Sequence, residues 1–202
     1  MNQDLLVQVL KRAEQRGATA ADGYLVEETR FGASVRMGEI ENISHSREQR
    51  LALRVFAGRA SAAASTSDLS RESLERVVDE ATALAQITAE DPHAGLPDPS
   101  ALIELVPDLD LEDGGEDLTP EEKIEMARRA EAAALESDPR ITNSEGAEYS
   151  NRHARYAYAT SHGFAHGYAT TGFGISVAPI ASKNGEMQRD YWYSSARKRT
   201  RL

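Results

Sequence analysis

Residues 155–177 read RYAYATSHGFAHGYATTGFGISV. Tyr156, Tyr158 and Thr160 alternate with Ala157 and Ala159. Phe164, His166, Tyr168 and Thr170 alternate with Ala165, Gly167 and Ala169, and Phe173, Ile175 and Val177 form a further alternating set. A period of two marks strands that show different residues to their two faces. Downstream, Asn184-Gly185 is a strong hairpin signal, and a final strand is expected over Met187 to Tyr193, with the only tryptophan, Trp192. Residues 140–195 therefore read as a succession of strands, followed only by the basic tail Lys198-Arg199-Thr200-Arg201-Leu202. A run of strands ending in this way reads as the opening half of a longer protein.

Upstream, the period changes twice. Leu5, Leu6, Val9, Leu10 and Ala13 recur at helical spacing and predict a helix over about residues 2–16, with Gly17 just past its end. Residues 21–65 switch to strand patterning, with Leu51, Leu53 and Val55 alternating with Ala52 and Arg54. Breaks at Gly32, Met37-Gly38-Glu39 and Ala57-Gly58 predict a meander of four or five strands. Its last strand, Arg59 to Ser65, is built of Ala and Ser, which suits the close approach of a helix or an edge position. A second helix is expected from about Ser70 to Ile87, burying Leu74, Val77, Val78, Ala81, Leu84 and Ala85. Residues 88–118, rich in Pro, Asp and Gly, read as a surface connection with a short strand at Ala101–Val106. Thr119, Pro120 and Glu122 spell an N-cap, a proline at N1 and a capping box for a third helix, with Ile124, Ala127, Ala130 and Ala134 on one side and Asp138-Pro139 as its stop. The order implies an α+β fold of antiparallel sheet meanders with three main helices.

Composition bounds the function. The 202 residues carry a net charge of -10, which disfavours direct contact with nucleic acid. The charge is uneven: Thr66 to Ser137 holds 20 Asp and Glu against 5 Lys and Arg, a balance of -15. This reads first as a solvated acidic surface, and secondarily as a docking face for a basic partner. The chain has no cysteine, so disulfides, thiolate zinc sites and cysteine nucleophiles are excluded. Residues 1–17 lack the apolar core of a secretory signal, and no run approaches the roughly 20 apolar residues of a membrane span, so a cytoplasmic location is expected.

No catalytic constellation emerges from the residues themselves. His162 and His166 have H-x-x-x-H spacing, but on a strand the two rings would lie about 13 Å apart, too far for one metal, so the pair reads as turn or surface residues. His45, His93 and His153 stand alone. There is no nucleophile elbow, phosphate-binding loop or dinucleotide fingerprint, and Gly172-Phe173-Gly174 lies within a strand run, where it reads as a bulge or a close backbone approach. Glu145 and Asp190, in aromatic surroundings, are candidates for buried, partnered acids. Tyr191-Trp192-Tyr193 reads as sheet packing, or alternatively as the lining of a peptide groove.

Several phrases taken in order go further: GATAADGYLVE, VRMGEIENI, LALRVFAGRASAAASTSDLS, AEDPHAGLPDP, DPRITNSEGAEYS, SHGF and MQRDYWYSSAR. Together they resemble the N-terminal half of the PmbA/TldD family, once called modulators of DNA gyrase, and its PmbA (TldE) branch more than its TldD branch. The resemblance covers nearly all of residues 1–197. It implies a domain over 1–197, made of a helix–meander–helix part (1–87), a connector (88–118) and a helix with strands (119–197), followed by the tail 198–202. The family's β-rich C-terminal domain lies beyond the pattern found here. It also implies a cytoplasmic metallopeptidase assembly in which TldD and PmbA subunits form a heterodimer that cleaves unfolded peptides. Zinc is expected in the TldD-like partner, on its H-E-x-x-x-H motif, and no catalytic, cofactor-binding or metal residue is assigned to this chain. Partners to expect are a TldD-like subunit or a second copy, and an unfolded peptide, without nucleic acid or membrane. The alternative is an autonomous peptide- or protein-interaction module with no protease role.

Overall fold

The computed structural model describes residues 3–103, 105–115 and 118–202. In chain order it places α1 at Gln3–Gln15, β1 at Ala20–Arg36, β2 at Glu39–Ala57, β3 at Ala60–Thr66 and α2 at Arg71–Ile87. There follow a 3-10 turn at Pro99–Ala101, α3 at Pro120–Glu136, β4 at Ile141–Thr160, β5 at Ala165–Lys183, β6 at Glu186–Arg189, β7 at Trp192–Ala196 and a second 3-10 turn at Arg199–Arg201. The strands form one sheet in the order β3-β2-β1-β4-β5-β6, with β7 also paired to β5. The fold is α+β with an antiparallel sheet, as the patterning implied. Among the described residues no helix is long and apolar enough to cross a membrane.

The strands are fewer and longer than expected. Residues 21–65 make three strands, because Gly32 stays inside β1 instead of breaking it. A Cβ at Gly32 would lie 2.9 Å from the Ser44 Oγ, so the glycine permits close approach of β2. Met37 and Gly38 form the β1–β2 turn, both with left-handed backbone (φ 49° and 80°), the pattern of a tight two-residue hairpin. Asn184 and Gly185 repeat it between β5 and β6 (φ 53° and 84°), as read from the sequence. The alternating sets at 164–170 and 173–177, apart from Phe164, belong to the single strand β5. The expected strand over Met187–Tyr193 is instead two, interrupted at Asp190-Tyr191: β6 pairs with Ile180–Lys183 and β7 with Phe173–Val177. The expected strand at Ala101–Val106 is not found among the described residues of that stretch. Asp98 instead caps a turn of 3-10 helix there.

The chain divides into two compact units. The first comprises residues 1–28, 48–109 and 154–169. Its core joins Leu6, Val9, Leu10 and Ala13 of α1 with Leu74, Val77, Val78, Ala81 and Ala85 of α2, over Leu25, Leu51, Leu53, Val55, Ala157 and Ala159 of the sheet. Burying each large aliphatic side chain contributes about 1.5–3 kcal/mol. Leu84, expected in this core, is 46% exposed. β3 answers both readings of its small residues: it is the terminal strand of the sheet, and Ala62 and Ala64 lie against the core that α2 helps form. A Cβ at Gly23 would sit 2.9 Å from the Leu6 Cδ2, so a side chain there would require Leu6 to shift.

The second unit comprises residues 29–47, 110–153 and 170–202. Ile124 and Ala127 of α3 pack on Phe31, Ala33, Val35, Ala147, Tyr149 and Phe173. The capping box forms as read: the Thr119 side chain accepts from the Glu122 amide, and the Glu122 carboxylate accepts from the Thr119 amide.

Candidate functional site

In the first unit, alternation sends Ala157 and Ala159 into the core and leaves Tyr156 and Tyr158 for the opposite face of β4. There Tyr156 stacks with Tyr24 of β1 (ring centroids 6.1 Å apart) and with Tyr168 of β5 (5.0 Å). Tyr24 and Tyr168 are 41% and 45% exposed, so the row forms a solvent-facing aromatic platform. Phe164 extends it, with its ring centroid 6.0 Å from that of Tyr158 and 4.9 Å from that of His166.

Beside this row lies a buried polar cluster. The Asp22 carboxylate accepts two hydrogen bonds from the Arg54 guanidinium (2.9 and 2.6 Å) and one from the Tyr158 hydroxyl (2.8 Å). Three donors satisfy a carboxylate that is only 6% exposed, the condition for keeping a charge away from water. Arg54 also lies over the Phe56 ring, 5.0 Å from its centroid. Its guanidinium is pushed above its ordinary value, first by the hydrogen bond to Asp22, with burial acting against this. Burial pushes the Tyr158 phenol up to about 12, the hydrogen bond to Asp22 adds to the rise, and Arg54 opposes it. A phenol held neutral to that pH is a poor base or nucleophile near pH 7. The cluster thus pins β1, β2 and β4 together.

In the second unit, a cleft of about 310 Å³ is lined by Glu112, Asp113, Asn151, His153, Thr171 and Arg199, among others. The His153 Nε2 lies 2.8 Å from the Glu112 Oε1. The backbone N–H groups of Arg199 and Gly115 hold the Asp113 carboxyl below the usual carboxylate range. The basic tail is docked here: Lys198 pairs with Asp110, the Arg199 amide donates to Asp113, and Leu202 packs against the core. A second cleft, of about 300 Å³, is lined by Ser34, Glu145, Ser176, Arg189 and Tyr191 among others.

Several expectations change. Glu145 and Asp190 are exposed: Glu145 forms an ion pair with Arg189, and Asp190 accepts from the next backbone amide, that of Tyr191. Among the described residues the buried acids are Asp22 and Glu131, the latter 1% exposed and bonded to the amides of Met37 (2.9 Å) and Gly38 (2.8 Å). Glu131 had a sequence signal, since 124, 127 and 131 fall on the buried stripe of α3. Asp22 had none, because its partners lie 32 and 136 residues away. Tyr191, Trp192 and Tyr193 are 63%, 76% and 62% exposed, so they are not buried sheet packing. Instead, Tyr191 and Tyr193 stack in the open, 6.5 Å apart.

The histidines are dispersed. His45 lies on β2, His93 in the connector, His153 on β4 and His166 on β5. His162 occupies the β4–β5 turn and not a strand, which removes the strand spacing assumed for the His162–His166 pair. Among the described residues no three His, Asp or Glu side chains converge as metal ligands. The donor set of these residues therefore does not fit a resident zinc ion.

Comparison with known proteins gives two consecutive family matches. Residues 21–85 match PmbA/TldA metallopeptidase domain 1, and residues 113–202 match the PmbA/TldA metallopeptidase central domain. The chain is 36% identical over 196 residues to the metalloprotease PmbA of Escherichia coli O157:H7, covering 96% of this chain and 43% of that protein. It is 30% identical to the PmbA homolog of Haemophilus influenzae, over 93% of this chain and 41% of that protein. A Bacteroides thetaiotaomicron structure described as a modulator of DNA gyrase superposes with a TM-score of 0.88 at 25% identity, covering 98% of this chain and 46% of that one. TldE from Thermococcus kodakarensis shares the fold, with a TM-score of 0.78 at 15% identity over 96% of this chain and 43% of that one. The chain thus spans less than half the length of these relatives.

Proposed function

Because the chain belongs to the PmbA/TldD metallopeptidase family, we propose that it is the N-terminal portion of a PmbA/TldE-type subunit. That subunit works in a zinc peptidase complex that degrades or processes unfolded peptides. The observation behind this reading is the succession of the family's first and central domains along one chain, at 36% identity to a PmbA metalloprotease. In this proposal the chain is not catalytic by itself. The zinc and the water it activates belong to a TldD-like partner, and this chain contributes scaffold and surface in a cytoplasmic heterodimer. The dispersed histidines and the neutral Tyr158 phenol support that division of labour.

The test is the purified chain, alone and mixed with a TldD-type protein. Alone, it is expected to hold less than stoichiometric zinc and to leave casein intact. With the partner, hydrolysis and co-elution are expected. Stoichiometric zinc together with casein hydrolysis by the isolated chain would overturn the reading. A second reading, an autonomous peptide-binding module, is favoured by one feature, the exposed row Tyr24–Tyr156–Tyr168. It predicts peptide binding without any TldD-type chain and no co-elution with one.

A further inference from the structure

The second cleft of the second unit holds chemistry that the fold does not consume. It measures about 300 Å³, and its lining includes the small residues Gly146 of β4 and Ser176 and Ala178 of β5, which leave the space above them unfilled. Ser176 pairs with Tyr193 of β7, and directly paired residues share a face of the sheet. Tyr193 therefore stands on the side of the cleft. Tyr191, itself a lining residue, stacks on Tyr193 with ring centroids 6.5 Å apart and planes inclined by 11°. Both rings are exposed, so one wall of the cleft is aromatic and open to solvent.

The remaining lining is anionic on balance. Glu145 and Glu148 contribute two carboxylates against one guanidinium, that of Arg189. Arg189 forms its ion pair with Glu145. Glu148 is exposed and has no hydrogen bond or ion pair with the described residues, so one negative charge of the lining is left uncompensated. That excess disfavours a phosphate or carboxylate ligand. Among the described residues no three His, Asp or Glu side chains converge, which disfavours a metal ion. A flat cation satisfies both kinds of group at once: its face rests on a tyrosine ring while N–H groups at its edge reach a carboxylate. Guanidinium has that shape, whereas an ammonium is a compact, strongly hydrated charge. The Arg189–Glu145 pair already places one guanidinium on a carboxylate of this cleft.

We propose that this cleft is a specificity subsite for an arginine side chain of an extended peptide, with Glu148 receiving the guanidinium and the Tyr191–Tyr193 pair stacking against it. The proposal deepens the peptide-processing reading. That reading supplies an unfolded peptide without naming any residue of it, and the cleft adds which side chain is read and by which groups. A volume of about 300 Å³ is at the lower limit of small-molecule sites and suits a single side chain. Zinc content and co-elution with a TldD-type chain test the peptidase reading, whereas the side-chain preference of the isolated chain tests this one. Either can therefore fail while the other stands.

Otherwise identical short Gly/Ser peptides carry arginine, lysine or citrulline (the uncharged isostere) at their centre, and each is titrated into the isotopically labelled full chain under NMR. An exposed cation–π contact and an exposed ion pair are together worth about tenfold in affinity, so arginine should bind about tenfold tighter than citrulline, with lysine in between. The amide signals of Ser176 and Tyr193 should move with the arginine peptide. Glu148→Gln and Tyr191→Leu should each cut the preference for arginine over citrulline to about threefold, and the two together should abolish it. Both side chains are exposed, so neither substitution opens the core. Equal binding of the arginine and citrulline peptides overturns the proposal. So does equal binding of lysine and arginine, an arginine preference that survives the double substitution, shifts confined to residues outside the cleft, or no binding at about 10 mM peptide.

Discussion

At the residue scale, two buried carboxylates are the most consequential side chains. Glu131 is 1% exposed and accepts from the amides of Met37 and Gly38. Met37 is a non-glycine residue with positive φ (49°), a conformation that needs support from its surroundings. Replacing Glu131 with Ala should cost about 2 kcal/mol and with Gln about half that, because one acceptor oxygen survives. Urea unfolding of the two variants checks the order, and equal losses would mean that the hydrogen bonds are not the cause. Asp22 offers a pH-linked test through Tyr158. The phenol's folded value is raised from 10.0 to about 12. The stabilisation tied to its proton is therefore complete below about pH 10 and disappears as pH rises through about 12. Tyr158→Phe should flatten the alkaline loss of stability between about pH 10 and 12, and ultraviolet titration should show one late-ionising tyrosine fewer.

At the element scale, local chemistry was legible wherever it was dense. α3 begins where its capping box says it must, and Thr119→Ala should cost about 1 kcal/mol, measurable by thermal unfolding. The tight turn at Asn184-Gly185 was likewise visible as a dipeptide, and the one at Met37-Gly38 as part of the break Met37-Gly38-Glu39. Strand lengths were not. Gly32 read as an interruption, yet β1 runs through it, while Gly172-Phe173-Gly174, read as a bulge or close backbone approach within a strand run, does lie inside β5. A glycine signals either a turn or a neighbour too close for a side chain, and only the neighbour distinguishes them. Gly146 shows both constraints: its φ is +117°, and a Cβ would lie 2.7 Å from the Val35 carbonyl oxygen. Gly146→Ala should therefore destabilise by about 1–3 kcal/mol. If chemical denaturation shows no loss, the close approach to Val35 is not maintained in solution.

At the scale of the whole molecule, charge and family membership set the expectations. The acidic excess of residues 66–137 is partly answered by α1, where Arg12 and Arg16 form ion pairs with Glu75 and Asp79 of α2. These pairs are exposed and each contributes at most about 1 kcal/mol. The net charge of -10 bears on the relatives described as modulators of DNA gyrase. The isolated chain should not retain duplex DNA at about 0.15 M salt, and retention with a steep salt dependence in a gel-shift assay would contradict this.

The sequence by itself determined the α+β class, the three helices, the caps and tight turns, and the family, because each depends on periodicity or on residues close together in the chain. The tertiary structure alone decided that Asp22 and Glu131 are buried, while Glu145 and Asp190 face solvent. It alone showed that His162 lies in the β4–β5 turn and not on the strand of His166. Burial, hydrogen-bond partnership and strand neighbours are set by segments that meet only on folding. Asp22 finds its partners 32 and 136 residues along the chain, a separation that no local pattern of residues encodes.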